Sequence, residues 1–274
     1  MPAVYLNHFY ITIDSATYLD IEQNVFMRTE FAPNELRTTV RKDTSYTGLY
    51  FYGTDTYFEF FNASNPLGRD RFTGDGIALG VDESGALERI EKNLAPDIIL
   101  EKEPVTRQYS NYQIPWFYSA KWEGVSSGSK LALWFMEYHP QFLRKWNAQP
   151  KDNNPGVSRR QILQRYTSVL KEVPLRPYFK NVTTLKIAVN EATRKKLIRL
   201  AMLLGFRVVT SRGTTNIIGT DIEFYLTPPT GDKEGIQEIV MCTEGKPNTQ
   251  SEFRFGERSI LRFQGDKIAT WYFG

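Results

Sequence analysis

The stretch Leu6-Asn-His-Phe-Tyr-Ile-Thr-Ile-Asp14 decides the fold. It has the composition of a β-strand, and its closing Asp is a good N-cap for the short helix predicted over Ser15–Gln23. Two later segments, Gly76–Asp82 and Thr184–Asn190, have the same design of a short strand that ends in Asp or Asn. Helices are predicted after both, so the sequence indicates an internal repeat.

Three strands are expected after each of these helices, which are predicted over Ser15–Gln23, Gly85–Leu94 and Glu191–Leu204. The predicted strands are Arg37–Arg41, Thr47–Tyr52 and Thr56–Phe61, then Ile98–Glu103, Trp116–Trp122 and Lys130–Tyr138, and finally Phe206–Ser211, Asp221–Leu226 and Ile236–Thr243. A single β-α-β-β-β unit leaves one sheet face uncovered. We therefore predict an α+β fold in which repeated β-α-β-β-β units pair into cupped mixed β-sheets flanked by helices.

The predicted organisation has three parts. Residues 1–148 hold units one and two as a cupped sheet, and 149–180 hold the Pro- and Asn-rich linker Gln149–Gly156 and a helix over Arg159–Leu170. Residues 181–274 hold the third unit and a C-terminal β-hairpin within Ser251–Phe273. The hairpin can complete the third unit's sheet. The third unit can equally pair with the first two units or with another chain, so a homodimer is one expectation.

The bulk composition excludes several classes of protein. With 41% apolar and 24% charged residues the chain is an ordinary globular protein, and a net charge of +3 with scattered basic residues argues against a nucleic-acid partner. The N-terminus has no secretory signal pattern, and no apolar run approaches the length of a membrane span. The single cysteine cannot form an internal disulfide. We expect a cytoplasmic protein without a membrane partner.

A unit that opens with Leu-Asn-His8 and closes with Tyr57-Phe-Glu-Phe-Phe61 resembles the vicinal oxygen chelate superfamily, which includes glyoxalase I, extradiol dioxygenases and bleomycin-binding proteins. The resemblance covers units one and two well and the third less closely. It implies paired units that form a cupped sheet around an active site. It also implies a divalent metal, held by a His or Gln on each unit's first strand and a Glu on its last.

Carried over by position, the resemblance makes His8 and Glu59 metal ligands in unit one. In unit two Gly76 stands where His8 does, so that ligand is missing. Glu137 can serve as the last-strand carboxylate, although strict register favours Phe135, and both are expected on the same face. The ligand set is then His8, Glu59 and Glu137, holding Zn, Ni, Mn or Fe with positions left for water and substrate.

Three interpretations of His8 and Glu59 stay open on the residues alone: a metal site, a metal-free polar pocket, and a purely structural pair, with Arg37 or Arg41 as other partners for Glu59. A carboxylate among aromatic side chains is costly unless it is paired, protonated or metal-bound. That cost is the physical reason to expect a role. Without a metal, Glu59 is the candidate base and His8 orients it.

Aromatic residues are the candidate substrate-binding groups. Tyr10 and Tyr50 belong to unit one, and Trp116, Tyr118 and Trp134 lie on neighbouring strands of unit two. They line an aromatic-accepting pocket, or those of unit two form core beneath the helix Gly85–Leu94. The leading hypothesis is an enzyme of isomerase, lyase or cyclase type acting on a small aromatic or carbonyl-containing metabolite. The alternative is a metal-free protein that binds or sequesters an aromatic small molecule.

Overall fold

A computed structural model of the chain describes residues 1–40, 45–64, 74–122, 129–148, 158–231, 233–248 and 250–274. The N-terminal elements are β1 (Tyr5–Ile13), α1 (Ser15–Gln23), a π-helical turn (Met27–Phe31), β2 (Asn34–Val40), β3 (Ser45–Tyr52), β4 (Tyr57–Asn62), β5 (Asp75–Val81), α2 (Ala86–Asn93), β6 (Glu101–Tyr109), β7 (Tyr112–Lys121) and β8 (Leu131–Tyr138). Two helices follow, α3 (Phe142–Lys145) and α4 (Arg159–Ser168). The C-terminal elements are β9 (Phe179–Ala188), α5 (Glu191–Leu203), β10 (Arg207–Ser211), β11 (Thr214–Ile218), β12 (Glu223–Thr227), β13 (Gly235–Thr243), β14 (Glu252–Phe255), β15 (Ser259–Gln264) and β16 (Ile268–Phe273).

The first eight strands form one mixed sheet in the order β2-β3-β4-β1-β5-β8-β7-β6. Within each unit the first and last strands are parallel, and the two units meet where β1 runs antiparallel to β5. The sheet curls so far that its edge strands β2 and β6 come into contact. The fold is thus α+β with a cupped first sheet.

The second sheet repeats this pattern in the order β10-β11-β12-β9-β13-β16-β15-β14. It corrects one part of the sequence interpretation, because the third unit ends at β12 and Gly235–Thr243 opens a fourth unit, whose described residues form no helix. The missed strand is β11, which follows a tight turn with positive φ at Arg212 and Gly213. The C-terminal strands do complete the third unit's sheet. The predicted linker Gln149–Gly156 lies outside the described residues, and the domain boundaries stay a prediction.

Two of the three predicted N-cap residues, Asp14 and Asn190, are confirmed. Asp14 accepts a hydrogen bond from the Thr17 amide, and Asn190 accepts one from the Thr193 amide. Asp82 is not a cap, contrary to expectation. It binds the backbone amide and guanidinium of Arg159 instead, at the start of α4.

Alternation along the strands separates two apolar cores. The larger core lies between the two sheets and contains Phe9, Phe58, Leu185 and Trp271. The smaller core lies on the other face of the first sheet, where helices α3 and α4 cover it. We call this face, which carries His8, Tyr10 and Glu59, the inner face. In the described part of the chain, no helix is both long enough and apolar enough to cross a membrane.

Candidate functional site

Two neighbouring rows of side chains cross the inner face of the first sheet. The first row runs Glu35, Tyr50, Glu59, Tyr10 and Gly76 on β2, β3, β4, β1 and β5. The second row runs Tyr52, Tyr57, His8, Ala78 and Trp134 on β3, β4, β1, β5 and β8. Strand register therefore brings together a carboxyl, an imidazole and several aromatic rings that are far apart in the sequence.

His8 and Glu59 form the polar centre of these rows. The His8 Nε2 atom lies 3.6 Å from Glu59 Oε1, and both side chains are 8% exposed. The imidazole stacks on Tyr57 with ring centroids 4.4 Å apart, and its Nδ1 atom is 2.8 Å from Asn7 Oδ1. Since an amide oxygen only accepts, a hydrogen on Nδ1 satisfies that contact and leaves Nε2 as an acceptor facing Glu59.

Burial shifts the pKa values of these two groups in opposite directions. Burial raises the pKa of Glu59 to about 7, although the Arg37 charge and hydrogen bonds from Tyr50 and Tyr57 act to lower it. Burial, helped by the Arg37 charge, lowers the pKa of His8 to about 3. At neutral pH the imidazole is therefore neutral, while the carboxyl exchanges its proton in the range where a general acid–base group works best.

Tyr10 and Gly76 explain why the second unit has no matching histidine. A Cβ atom on Gly76 would lie 2.2 Å from the Tyr10 ring and 2.8 Å from the Trp134 ring. Any side chain at position 76 would thus displace the Tyr10 ring. Within the described residues, the buried Tyr10 hydroxyl has no hydrogen-bond partner. Burial also raises its pKa far above the ordinary value, so the hydroxyl keeps its proton and can donate.

Glu137 does not join His8 and Glu59. It lies on the opposite face of β8 and accepts hydrogen bonds from the backbone amides of Gly85 (2.7 Å) and Leu87 (2.9 Å) at the start of α2. Phe135 shares that face and belongs to the larger core. The inner-face position that matches Glu59 is Trp134, since Trp134 pairs with Ala78 on β5 as Glu59 pairs with Tyr10 on β1. The predicted carboxylate of unit two is therefore a helix-capping residue.

The aromatic residues predicted to bind substrate fall into two groups. Tyr10, Tyr50, Trp116 and Trp134 belong to the inner face. Tyr118 points to the other side, because a register shift between β6 and β7 at Trp116 changes the alternation. A β-bulge of this kind cannot be read from alternating residue types, since it adds one residue without changing the composition of the strand.

Helices α3 and α4 cover part of the inner face, which the sequence analysis did not foresee. Phe142, Trp146, Ile162 and Tyr166 pack there, and Trp116 Nε1 donates a 2.8 Å hydrogen bond to the Tyr166 hydroxyl. The apolar spacing Ile162, Leu163, Tyr166 was the available signal. It indicated a buried helix face without saying which sheet it covers.

Neither arginine considered as a partner of Glu59 is seen to pair with it in the described residues. Arg37 lies on the inner face but donates to Glu35 Oε1 at 3.1 Å and to the Tyr52 hydroxyl at 3.0 Å. It influences Glu59 only through its charge. Arg41 lies outside the described residues.

The donor set falls short of the one that the resemblance implies for a divalent metal. His8 and Glu59 would supply two protein ligands, and Trp134 occupies the place of the third. In the described ranges, no group of three or more His, Cys, Asp or Glu side chains is arranged to hold a metal ion. A facial set of three donors is therefore not assembled on this face.

Comparisons with known proteins bear on the fold. A hypothetical protein from Staphylococcus aureus superposes with a TM-score of 0.55 at 13% identity, over 97% of each chain. A xylose isomerase-like TIM barrel/4-hydroxyphenylpyruvate dioxygenase fusion protein gives a TM-score of 0.45 at 10% identity, over 90% of this chain and 37% of that one. The first likeness shows a shared fold alone, and the second is too weak to support an argument. No curated protein sequence matches this chain. A family profile does match residues 6–273, so the chain belongs to the family described as Family of unknown function (DUF5829).

Proposed function

We propose that the inner face of the first sheet catalyses proton transfer on a small aromatic or carbonyl-containing metabolite, with Glu59 as the general acid–base group. The observation that carries this proposal is a carboxyl group enclosed by aromatic rings, with a pKa of about 7 and a neutral imidazole 3.6 Å away. Perturbed ionisable groups of this kind concentrate at functional sites. Isomerase, lyase and cyclase reactions that proceed through an enolate begin with such a proton transfer.

Each polar group has a role that follows from its protonation state. Ionised Glu59 accepts a proton from a carbon next to a carbonyl group and later returns it. His8 orients Glu59 in its protonated form, because its Nε2 atom can accept the carboxyl proton when the two groups approach closer than 3.6 Å. The Tyr10 hydroxyl, which has no hydrogen-bond partner among the described residues, can donate to the carbonyl oxygen as negative charge develops there.

The aromatic rings around this centre suit a flat substrate. Tyr57 stacks on His8, and Trp134 meets the imidazole edge-on with ring centroids 5.4 Å apart. They exclude water from the carboxyl, which keeps its pKa near neutrality. The same enclosure favours the second candidate function, a protein that binds an aromatic ligand without turning it over.

Hydrogen–deuterium exchange separates these candidates without knowledge of the natural substrate. The wild-type protein is expected to accelerate exchange at the carbon next to the carbonyl of phenylacetone in D₂O, followed by proton NMR. Glu59→Gln should slow this exchange by about 100-fold or more, because a general base contributes a factor of that order. The matched control is Glu257→Gln, which changes an exposed carboxyl in the turn between β14 and β15.

Four results would contradict the proposal. Exchange that is equal in the wild type and Glu59→Gln excludes Glu59 as the base, and wild-type exchange no faster than in buffer excludes proton transfer on this probe class. Saturable binding of phenylacetone without exchange supports the binding protein instead. Stoichiometric Zn, Ni, Mn or Fe in protein purified without chelator, lost in His8→Ala, would restore the metal site.

A further inference from the structure

The edges of the first sheet bring two arginines to the same enclosed region. Arg37 on β2 and Arg107 on β6 come from strands at opposite ends of the strand order, and these strands meet because the sheet curls. Tyr166 of α4 connects them, because the Arg37 guanidinium carbon lies 5.7 Å from the centre of its ring and its hydroxyl accepts a hydrogen bond from Trp116, the ring that Arg107 contacts. Both arginines therefore lie in the aromatic cluster around Tyr166 on the inner face.

Arg37 is held in a fixed position. Its guanidinium carbon lies 3.8 Å from the centre of the Tyr50 ring and 5.7 Å from that of Tyr166. Nη1 binds Glu35 and Tyr52, as described above. Its Nε atom is buried and has no hydrogen-bond partner among the described residues.

Arg107 is packed in a similar way between aromatic rings. Its guanidinium carbon lies 4.8 Å from the centre of the Trp116 ring and 5.0 Å from that of Trp146. Its Nη1 atom is also buried without a hydrogen-bond partner in the described part of the chain. Arg165 at the same end of the face is different, since it donates to the backbone carbonyls of Trp146 and Asn147.

The buried donors on the inner face that lack an acceptor among the described residues include Tyr10 OH, Arg37 Nε and Arg107 Nη1. A buried donor without a partner costs about 1–3 kcal/mol, and more when it is charged. Cation–π contacts offset part of this cost, but they leave the N–H groups unsatisfied. A molecule that supplies acceptor oxygens to these donors would remove the penalty.

We infer that Arg37 and Arg107 bind the carboxylate group of a small organic acid, whose remaining part extends along the inner face towards Glu59. The two guanidinium groups carry two positive charges and have one carboxylate partner, Glu35, in the described chain. One further negative charge balances them, which favours a carboxylate over a doubly charged phosphate. Guanidinium N–H groups also match the two oxygens of a carboxylate.

This inference rests on the proposed function and specifies its substrate class. Arg37 lies 3.8 Å from the centre of the Tyr50 ring, and Tyr50 is directly opposite Glu59 on the neighbouring strand, so one molecule can reach both the anion site and the proton-transfer centre. The substrate would then be a carbonyl compound that also carries a carboxylate.

Isothermal titration with benzoate and benzamide tests the anion site, because the two molecules have nearly the same shape and differ in charge. Benzoate should bind at least about tenfold more tightly, since a hydrogen bond to a charged group contributes roughly 1.5–3 kcal/mol. Arg107→Gln should weaken benzoate binding by about tenfold or more and leave benzamide unchanged. The benzoate affinity of Arg107→Lys should lie between those of the wild type and Arg107→Gln, because lysine keeps the charge but cannot donate two parallel hydrogen bonds to a carboxylate.

The matched control is Arg262→Gln, which removes an exposed arginine paired with Glu252 on the second sheet and should leave benzoate binding unchanged. Equal affinities for benzoate and benzamide, failure of both benzoate and acetate to bind, or tighter binding of inorganic phosphate would overturn the inference. So would an Arg107→Gln protein that melts at the wild-type temperature and binds benzoate normally.

Glu59→Gln distinguishes failure of the anion site from failure of the proposed function. It should still bind benzoate, since it keeps both arginines. If the wild type shows Glu59-dependent exchange but no preference for benzoate, only the carboxylate inference is wrong. If benzoate binding depends on Arg107 while hydrogen–deuterium exchange is absent, the anion site is supported and the proposed proton transfer is wrong.

Discussion

Glu59 shows how one residue can carry a functional signal through its surroundings. The ionised form is poorly solvated among Tyr10, Tyr50 and Tyr57, and no cation lies in hydrogen-bonding contact with it in the described part of the chain. Its pKa of about 7 means that the folded protein binds the carboxyl proton more tightly than the unfolded chain does. Protonation and folding are therefore linked.

The first prediction concerns this linkage. Because the folded-state pKa is raised, the stability from protonated Glu59 is fully present below about pH 4.5 and is lost as the pH rises through 7. Urea denaturation of the wild type and Glu59→Gln should give a stability difference that falls by roughly 3 kcal/mol over this range, at about 1.4 kcal/mol per pKa unit. His8 contributes the opposite dependence in both proteins, so its effect cancels. A difference that does not change with pH would contradict the raised pKa.

The pairing of His8 with Glu59 could be anticipated because alternation fixes which side chains share a face. The loss of the second-unit histidine could also be read at Gly76. The reason for that loss could not, because it depends on the distance between position 76 and the Tyr10 ring across two strands. The sequence shows that unit two lacks the histidine, and the structure shows that the Tyr10 ring occupies the space its side chain would need.

At the scale of elements, β8 illustrates the limit of reading a ligand from a motif. Glu137 is a carboxylate on the last strand of unit two, as the resemblance requires. However, the odd-numbered residues of β8 face the larger core, and the even-numbered residues lie on the inner face. The unit-two helix begins at Gly85 with a left-handed conformation and no side-chain cap of its own. Glu137 supplies the missing acceptor from a neighbouring strand.

The second prediction follows from this capping role. Glu137→Gln weakens two charge-assisted hydrogen bonds to backbone amides and should lower the free energy of unfolding by about 1–2 kcal/mol. Glu91→Gln on the solvent side of α2 is the control and should change stability by less than about 0.5 kcal/mol. Turnover of any identified substrate should be unaffected in both. Loss of bound metal or of activity in a stable Glu137→Gln protein would return this residue to the functional site.

The elements that sequence analysis located best are those with a local cause. Helix α1 was predicted at its observed bounds, and α5 to within one residue, because a cap precedes each of them. Strand β11 was missed because five residues between two turns give too short an alternation to recognise. Because β11 was missed, β13 was assigned as the last strand of the third unit when it is the first strand of a fourth unit.

At the scale of the whole molecule, the two sheets share their largest core and are joined by buried polar contacts. Arg159 on α4 pairs with Asp82 of the first sheet at 3.2 Å and with Asp221 next to the second sheet at 2.8 Å. Asp75 accepts hydrogen bonds from the backbone amides of Thr12 and Ile236, one in each sheet. We therefore expect the two sheets to unfold together.

The third prediction is that the whole chain unfolds in a single transition. Trp271 lies in the second sheet and the other four tryptophans in or beside the first, so fluorescence of the wild type and of Trp271→Phe can be compared with far-UV circular dichroism. Coincident midpoints are expected, since unfolding either sheet would expose the shared core.

Arg159→Met should lower the free energy of unfolding by about 3 kcal/mol, because it leaves two carboxylates without their partner. The midpoint measured by both methods should fall accordingly. Lys195→Met on the exposed side of α5 is the control. Two separated transitions in the wild type would show that the sheets fold independently, and the inner face would then be testable in isolation from the second sheet.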